Sequence, residues 1–380
     1  MLKKENVLNN DWRLMKFEDC ILQLNTGLNP RSNFSLGKGN LKYITAKNLT
    51  KYGTVDFSKS DSIDEDAKRT INKRSDIQVG DILFSSRAPI GHCHLIREEP
   101  NYYDIGESIF SIRVDKKVVI PEYLCLYLTS NFFVKLASKH TTGSIIQEIR
   151  IGDLMGTKVV VPPLKIQKDI ADSLYKIDRK IALNDMLNDN LQQQLCLMYE
   201  HMMCQSQKGT LSGEIVVTSE LTDVITGKED ANFSTPNGKY KFFTCSNDTF
   251  QCDSFAFNSS SILIAGNGDF NVKHYSGKFN AYQRTYVLTP KKDYYGLLYL
   301  ASLYQIKAFK SASTGSIVKF ITKGDIENIP VFIPNDNKYL LRFNQLLAMK
   351  EQNALENEEL TKLRDWLLPM LMNGQAIIED

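Results

Sequence analysis

The chain has 380 residues, 42% of them hydrophobic and 24% charged, and a formal net charge of +2. That length holds two or three domains, each able to bury its own core, and the composition excludes a disordered or low-complexity polymer. Near-neutral charge confines any nucleic-acid surface to local clusters, and no run of about eighteen apolar residues is present to form a membrane-spanning helix.

The start, Met1-Leu2-Lys3-Lys4-Glu5-Asn6, lacks the apolar run of a signal peptide. Seven cysteines at scattered spacings, with no Cys-x-x-Cys, point to reduced thiols and a cytoplasmic protein. Short β-prone runs follow at Tyr43-Ile44-Thr45, Asp81-Ile82-Leu83-Phe84 and Ile109-Phe110-Ser111-Ile112. A helical segment opens at Pro121-Glu122-Tyr123-Leu124. Lys158-Val159-Val160-Val161 then ends at Pro162-Pro163, which closes a strand because proline cannot donate to a ladder. The second half offers Tyr240-Lys241-Phe242-Phe243, Ile262-Leu263-Ile264, Tyr286-Val287-Leu288 and Val331-Phe332-Ile333-Pro334, with a helix near Leu297-Leu298-Tyr299-Leu300.

After each proline stop comes a long helical pattern. Ile170, Leu174, Ile177 and Ile181 alternate by four and three, as do Leu191, Leu195, Met198 and Met202 after polar Asn184 and Asn188. The second pattern carries Leu346 and Met349, then Leu360, Leu363, Leu367 and Met370, around polar Asn353 and Glu356. Such spacing lines up one apolar seam and calls for a partner helix. About forty helical residues would run roughly 60 Å. The expected fold class is α+β: two similar globular domains separated by a long antiparallel two-helix coiled coil, with a pseudo-twofold internal repeat. Two amphipathic helices lying on their own domains is the alternative. The expected segments are 1–163, a first helix at 164–207, 208–335, a second helix at 336–374, and a tail at 375–380.

The repeat itself is explicit. Thr142-Gly143-Ser144-Ile145 returns as Thr314-Gly315-Ser316-Ile317, an offset of 172 (314 − 142) that holds from Leu126 to Pro162. Gly152-Asp153-Leu154 thus falls on Gly324-Asp325-Ile326, and Val161-Pro162 on Ile333-Pro334. Upstream, Leu41 to Thr45 resembles Tyr240 to Thr244 at 199, so the first copy carries 27 extra residues (199 − 172) in its middle loops. Two copies of one unit suggest one task performed twice, on a two-part target. The end, Gln375-Ala376-Ile377-Ile378, resembles Glu214-Ile215-Val216-Val217, the start of the second copy.

Catalytic motifs are missing. Gly37-Lys38 and Gly227-Lys228 have Ser32 and Thr222 where a phosphate-binding loop needs its first glycine. Ala265-Gly266-Asn267-Gly268-Asp269 is a weak match to a cofactor loop and reads as a turn. His92-Cys93-His94 would alternate its side chains on a strand, and no second ligand pair stands at zinc spacing. No nuclease pattern or nucleophile elbow appears, so no cofactor, metal or catalytic residue is assigned to this chain.

What recurs is a polar loop. Thr142, Ser144, Gln147 and Arg150 in one copy, with Thr314, Ser316, Lys319 and Lys323 in the other, combine hydroxyls, amides and cations around a glycine turn. Such groups suit phosphate oxygens and base edges; a solvated Gly-Ser turn is the plain alternative. Lys47 and Asn48 match Ser246 and Asn247, Arg87 matches Asn267, and Arg31, Lys241, Lys273 and Arg284 add charge.

In this order, these features resemble the DNA-specificity (S) subunit of type I restriction-modification systems. The resemblance covers nearly the whole chain and rests on Trp12-Arg13, Val79-Gly80-Asp81-Ile82-Leu83-Phe84, the Thr-Gly-Ser loops, Val160-Val161-Pro162-Pro163-Leu164-Lys165-Ile166-Gln167, and Leu367-Leu368-Pro369-Met370-Leu371-Met372-Asn373-Gly374. Lys165-Ile166-Gln167 departs from the family's usual Glu-Gln, and the second copy has one proline at Ile333-Pro334-Asn335. The resemblance implies two target-recognition domains, each reading half of a split double-stranded DNA site. It further implies a helical ruler and docking of two methyltransferase subunits, which would carry S-adenosylmethionine, and of a restriction subunit. A recognition subunit of a bifunctional restriction enzyme, or a duplicated coiled-coil protein adaptor, are the other readings.

Overall fold

The computed structural model describes residues 11–50, 53–130, 133, 148–268, 270–312, 320–372 and 374. Contacts divide the chain into two bodies, Met1–Ile181 with Glu359–Asp380, and Ala182–Glu358. In the first, a ribbon pairs β1 (Arg13–Lys16) antiparallel with β9 (Lys158–Val161). A four-stranded sheet has the order β2-β8-β5-β6, from Ile21–Thr26, Ile109–Val114, Ile82–Ser85 and Cys93–Leu95. A three-stranded sheet sets β3 (Leu41–Ile44) between β4 (Asp61–Ile63) and β7 (Tyr103–Ile105). Helices α1 (Glu65–Ser75), α2 (Pro121–Thr129) and α3 (Ile151–Met155) pack on these, and α4 (Leu164–Gln207) begins after the two prolines.

Local chemistry places these helices. Asp64 caps α1 by accepting from Ala67 N–H at 2.8 Å, acidic residues fill its first turn and basic ones its last. Pro121 opens α2, where its missing N–H costs nothing.

The second body repeats the plan with the same registers. Ribbon β10 (Gly213–Val217) with β17 (Pro330–Pro334) is followed by α5 (Thr218–Leu221) and β11 (Val224–Thr226). Next come β12 (Tyr240–Phe243), β13 (Thr249–Cys252), β14 (Phe257–Ala265), β15 (Val272–Ala281), β16 (Thr285–Leu288), α6 (Tyr295–Ala312), α7 (Lys323–Glu327) and α8 (Lys338–Met372). Leu24 pairs with Ile112 as Val224 pairs with Leu288, and Ile44 pairs with Ile105 as Phe243 pairs with Ala281. Phe17 N–H donates to Thr157 O at 2.8 Å, and its counterpart Thr218 N–H to Ile329 O at 3.0 Å.

One difference is topological. The ten-residue β15 serves at one end as the equivalent of β6 and at the other as that of β7, so the two small sheets of the first body are one six-stranded sheet in the second. The extra residues of the first copy are not simply loop. Most lie between β3 and β5, where α1 buries Ala67 and Ile71 against Tyr43 and Ile63.

Helix α4 contributes residues 164–181 to the first body and 182–207 to the second, and α8 contributes residues 338–358 to the second and 359–372 to the first. In the first, Ile170 and Leu174 share a core with Phe17, Phe84, Val161, Leu368 and Leu371. In the second, Leu191, Leu195 and Met202 share one with Leu298, Val331, Phe343 and Leu346. Each such buried aliphatic contributes about 1.5–3 kcal/mol. Within each body the helices run antiparallel: Arg364 Nη1 lies 3.2 Å from Asp178 Oδ1 in one, and His201 Nδ1 lies 3.2 Å from Tyr339 Oη in the other.

Ile170, Leu174, Ile181, Leu191, Leu195 and Leu346 are buried, and Ile177, Leu360 and Leu367 are half-buried. Met349 and Leu363, expected in the seam, are 47% and 44% exposed. From Leu346 the four-three alternation proceeds through Lys350, Asn353, Asn357, Leu360, Arg364, Leu367 and Leu371, and the polar members of that row displaced the expectation onto apolar neighbours. In the second body the polar stretch is self-satisfied. Asn184 Nδ2 donates to Glu356 Oε2 at 2.7 Å and to Asn357 Oδ1 at 2.8 Å. Asn357 Nδ2 donates to Asp185 Oδ1 at 2.8 Å, and Asn353 Nδ2 to Asn188 Oδ1 at 2.9 Å. Such amide contacts, one of them to buried Asn184, favour this register, because a shift leaves its amide unpaired.

Candidate nucleic-acid interface

Thr142, Ser144, Gln147, Thr314, Ser316 and Lys319, the heart of the recurring polar loop, lie outside the described residues. What is described is the anchor on its C-terminal side, and it is the same in both copies. Ser86 N–H donates to Ser108 O at 3.0 Å while Ser86 O accepts from Ile149 N–H at 2.8 Å. Gly266 N–H donates to Arg284 O at 2.9 Å while Gly266 O accepts from Ile321 N–H at 2.8 Å. Just beyond, Arg87 forms an antiparallel bridge with Glu148, and Asn267 with Phe320. The residues just after the recurring loop therefore lie beside the turn that follows the central strand in each copy.

The side chains on this shared frame differ. In the first copy Arg87 Nη1 lies 3.0 Å from Glu107 Oε1, and Nε lies 3.3 Å from Glu148 Oε1 without hydrogen-bond alignment. Asn29 donates to the other Glu107 oxygen at 2.6 Å. That hydrogen bond and the Arg87 guanidinium hold the Glu107 carboxyl below its usual range against partial desolvation, with Arg31 assisting through its charge. In the second copy the corresponding positions carry Asn267, Gln283 and Phe320, which line a cleft of about 520 Å³ together with Arg284, Tyr286 and Lys323. Phe320 is 63% exposed, and Tyr286 Oη donates to Ile321 O at 3.0 Å. Thr322 caps α7, accepting from Asp325 N–H at 3.2 Å, and Lys323 on its first turn faces Glu327 at 3.3 Å.

Several expected contacts are otherwise engaged. Asn48 is fully buried, accepting from Thr45 N–H at 2.8 Å and donating to Asp56 O at 3.1 Å; it is a turn-stabilising residue, not a surface reader. Lys241 points to the helix, its Nζ 2.5 Å from Glu358 Oε1, so it is a packing contact. Lys273 donates to the carbonyls of Ser246 and Asp248 and sits 6.0 Å from the Phe243 ring centroid, and burial lowers its pKa. Ser246 and Lys273 are thus brought together, beside exposed Asn247. Lys47 is exposed, 3.9 Å from Asp61. Arg31 occupies an exposed turn at φ 22°, and exposed Arg150 precedes α3.

Glu107, Glu148, Gln283 and Phe320 were missed in the sequence. Aligning the two copies at the bridge position would have found them.

The histidines beside Cys93 are structural. His92 Nδ1 lies 2.7 Å from Leu49 O and His94 Nδ1 lies 2.8 Å from Gly53 O, so each ring must donate there. Among the described residues no three His, Cys, Asp or Glu side chains gather as a metal requires, and no helix is long and apolar enough to cross a membrane. All seven cysteines are free thiols.

A family model described as the type I restriction modification DNA specificity domain matches residues 9–193 and again 214–363. The chain belongs to this family. Its two specificity domains coincide with the two copies of the repeat. The chain is similar to the type I restriction enzyme EcoDI specificity subunit of Escherichia coli, 40% identical over 171 residues. That alignment takes in 43% of this chain and 38% of the relative, well under two thirds of the latter's length. Similarity to the MjaIX specificity subunit of Methanocaldococcus jannaschii is 23% over 418 aligned positions, covering 97% and 94% of the two chains. The crystal structure of a type I S subunit from M. genitalium shares the fold at a TM-score of 0.60 and 17% identity, covering 100% of both chains.

Proposed function

We propose that the chain is the non-catalytic DNA-recognition subunit of a type I restriction-modification complex, in which each copy reads one half of a bipartite, asymmetric site. The observation that carries this is the duplicated anchor with divergent chemistry: one backbone frame presents Arg87, Glu107 and Glu148 in one copy, and Asn267, Gln283 and Phe320 in the other. A device that recognises identical halves would keep its side chains; one that recognises different halves changes them on a fixed frame. Phosphate contact falls to Arg31, Lys47, Arg150, Arg284 and Lys323, while adenine methylation falls to two methyltransferase chains that carry S-adenosylmethionine. A restriction subunit joins for cleavage. The number of helical residues in α4 and α8 sets the gap between the half-sites.

The test is mapping of methylated adenine after the chain is co-purified with its methyltransferase and incubated with random-sequence duplexes. Methylation confined to one split motif is expected; methylation independent of sequence, or none above that of the methyltransferase alone, refutes the reading. The last outcome would favour a protein adaptor.

A further inference from the structure

The bridges Arg87–Glu148 and Asn267–Phe320 occupy equivalent points of the two copies. We propose that this bridge is a base-pair reading point, selecting G·C in the first copy's half-site and A·T in the second's; the inference rests on the DNA-reading function above. In the first copy, the terminal Nη1 and Nη2 of Arg87, whose Nε is buried, carry the paired donors that match guanine O6 and N7. Glu148 supplies a carboxylate to accept from cytosine N4. Glu107, gripped by Asn29 at 2.6 Å and meeting Arg87 at 3.0 Å, braces the guanidinium from the protein side. A positioned arginine loses less freedom on binding than a solvated one. About a third of the Arg87 side chain remains open to solvent, at 38%, and Glu148 is 43% exposed.

The second copy has the other chemistry. Asn267 offers one donor and one acceptor, the pattern that fits adenine N6 and N7, and the exposed Phe320 ring is the apolar partner for a thymine methyl. Among the described residues no packing explains Phe320: at 63% exposure it leaves most of its apolar surface in water, a loss that a bound methyl group would recover. Gln283, the counterpart of the bracing Glu107, is tied to Asp230 Oδ1 at 3.0 Å. None of the three positions carries a carboxylate that would accept from cytosine. Arg284 and Lys323 line the same cleft and suit the adjoining phosphates.

The test uses the complete chain with its methyltransferase on its own methylated motif, first without any variant. Replacing thymine by uracil, one position at a time in the second half-site, should weaken binding about fourfold at one position, the value of a single buried methyl. Replacing guanine by 7-deazaguanine should do so at one position of the first half-site. Insensitivity to both replacements at every position overturns the proposal. In variants, Phe320→Ala should lose the uracil effect there and nowhere else, and Arg87→Ala the 7-deazaguanine effect. The pair Asn267→Arg with Phe320→Glu should move one A·T to G·C in the mapped motif and leave the first half-site untouched. Unaltered base sensitivity in Phe320→Ala and Arg87→Ala, with melting temperatures like the parent's, refutes it. A parent complex that binds no duplex specifically removes the function as well, and so separates the two failures.

Discussion

Asp104, the middle residue of β7, is fully buried, and its repeat counterpart is the amide Asn280. Both side-chain oxygens accept from the next backbone N–H, Ile105 at 2.8 Å and Ala281 at 2.9 Å. Asp104 also accepts from Ser75 Oγ at 2.6 Å, while its Oδ2 is buried with no geometrically aligned donor among the described residues. Burial pushes the Asp104 carboxyl from 3.8 up to about 6, outweighing those hydrogen bonds and the nearby Lys68 charge. Because the folded pKa lies above the unfolded one, the protonated form favours folding. That contribution is complete below the unfolded value and disappears as pH rises through about 6. The span corresponds to about 3 kcal/mol, of which roughly half is recovered between pH 7.5 and pH 5. Asp104→Asn copies the second repeat and removes this dependence. Urea unfolding at several pH values should show the variant more stable than the parent at pH 7.5, with the difference shrinking by roughly 1–2 kcal/mol at pH 5. A difference that stays constant across that range would refute the assignment.

Arg113 grips Asp81, 1% exposed, with Nε at 2.9 Å and Nη2 at 2.8 Å, where the second copy has Ser261 and Thr289 hydroxyls 2.8 Å apart. Arg113→Ala should cost about 3–5 kcal/mol by stranding a buried carboxylate, and Asp81→Ser with Arg113→Thr less than half of that, measured by thermal unfolding. A Cβ on Gly27 would meet Ile105 O at 1.8 Å, and one on Gly227 would meet Ala281 O at 2.0 Å. Both alanine variants should lose more than about 2 kcal/mol, in keeping with overpacked backbone contacts; equal stability to the parent would exclude the close approach. Inserting two helical turns after Ile181 should widen the gap in the methylated motif and leave both half-sites intact, and an unchanged gap would remove the helices' measuring role.

The repeat was plain in the sequence because the Thr-Gly-Ser-Ile loop, the strand and its proline stop stand at one offset. The strands at Tyr43, Ile82, Ile109 and Val159, with their second-copy partners, follow from β-branched and aromatic runs. The seam was legible where apolar, through Ile170, Leu174 and Leu195, and misplaced at Met349 and Leu363 because Lys350 and Arg364 occupy the true row. Helix α1 stayed hidden among charges, being helical through caps and i,i+3 pairs such as Asp66 with Arg69. Asn48 and Lys241 looked like surface polarity; only tertiary contacts reveal them as a turn brace and a helix partner. Nothing in one copy alone singles out Phe320.

The most direct measurement is the methylation motif of a hybrid in which residues 1–160 are exchanged for those of a relative with another specificity. If each copy reads its own half, one half-site changes while the other half and the gap persist. A motif altered in both halves, or not at all while methylation continues, contradicts independent reading by two duplicated domains.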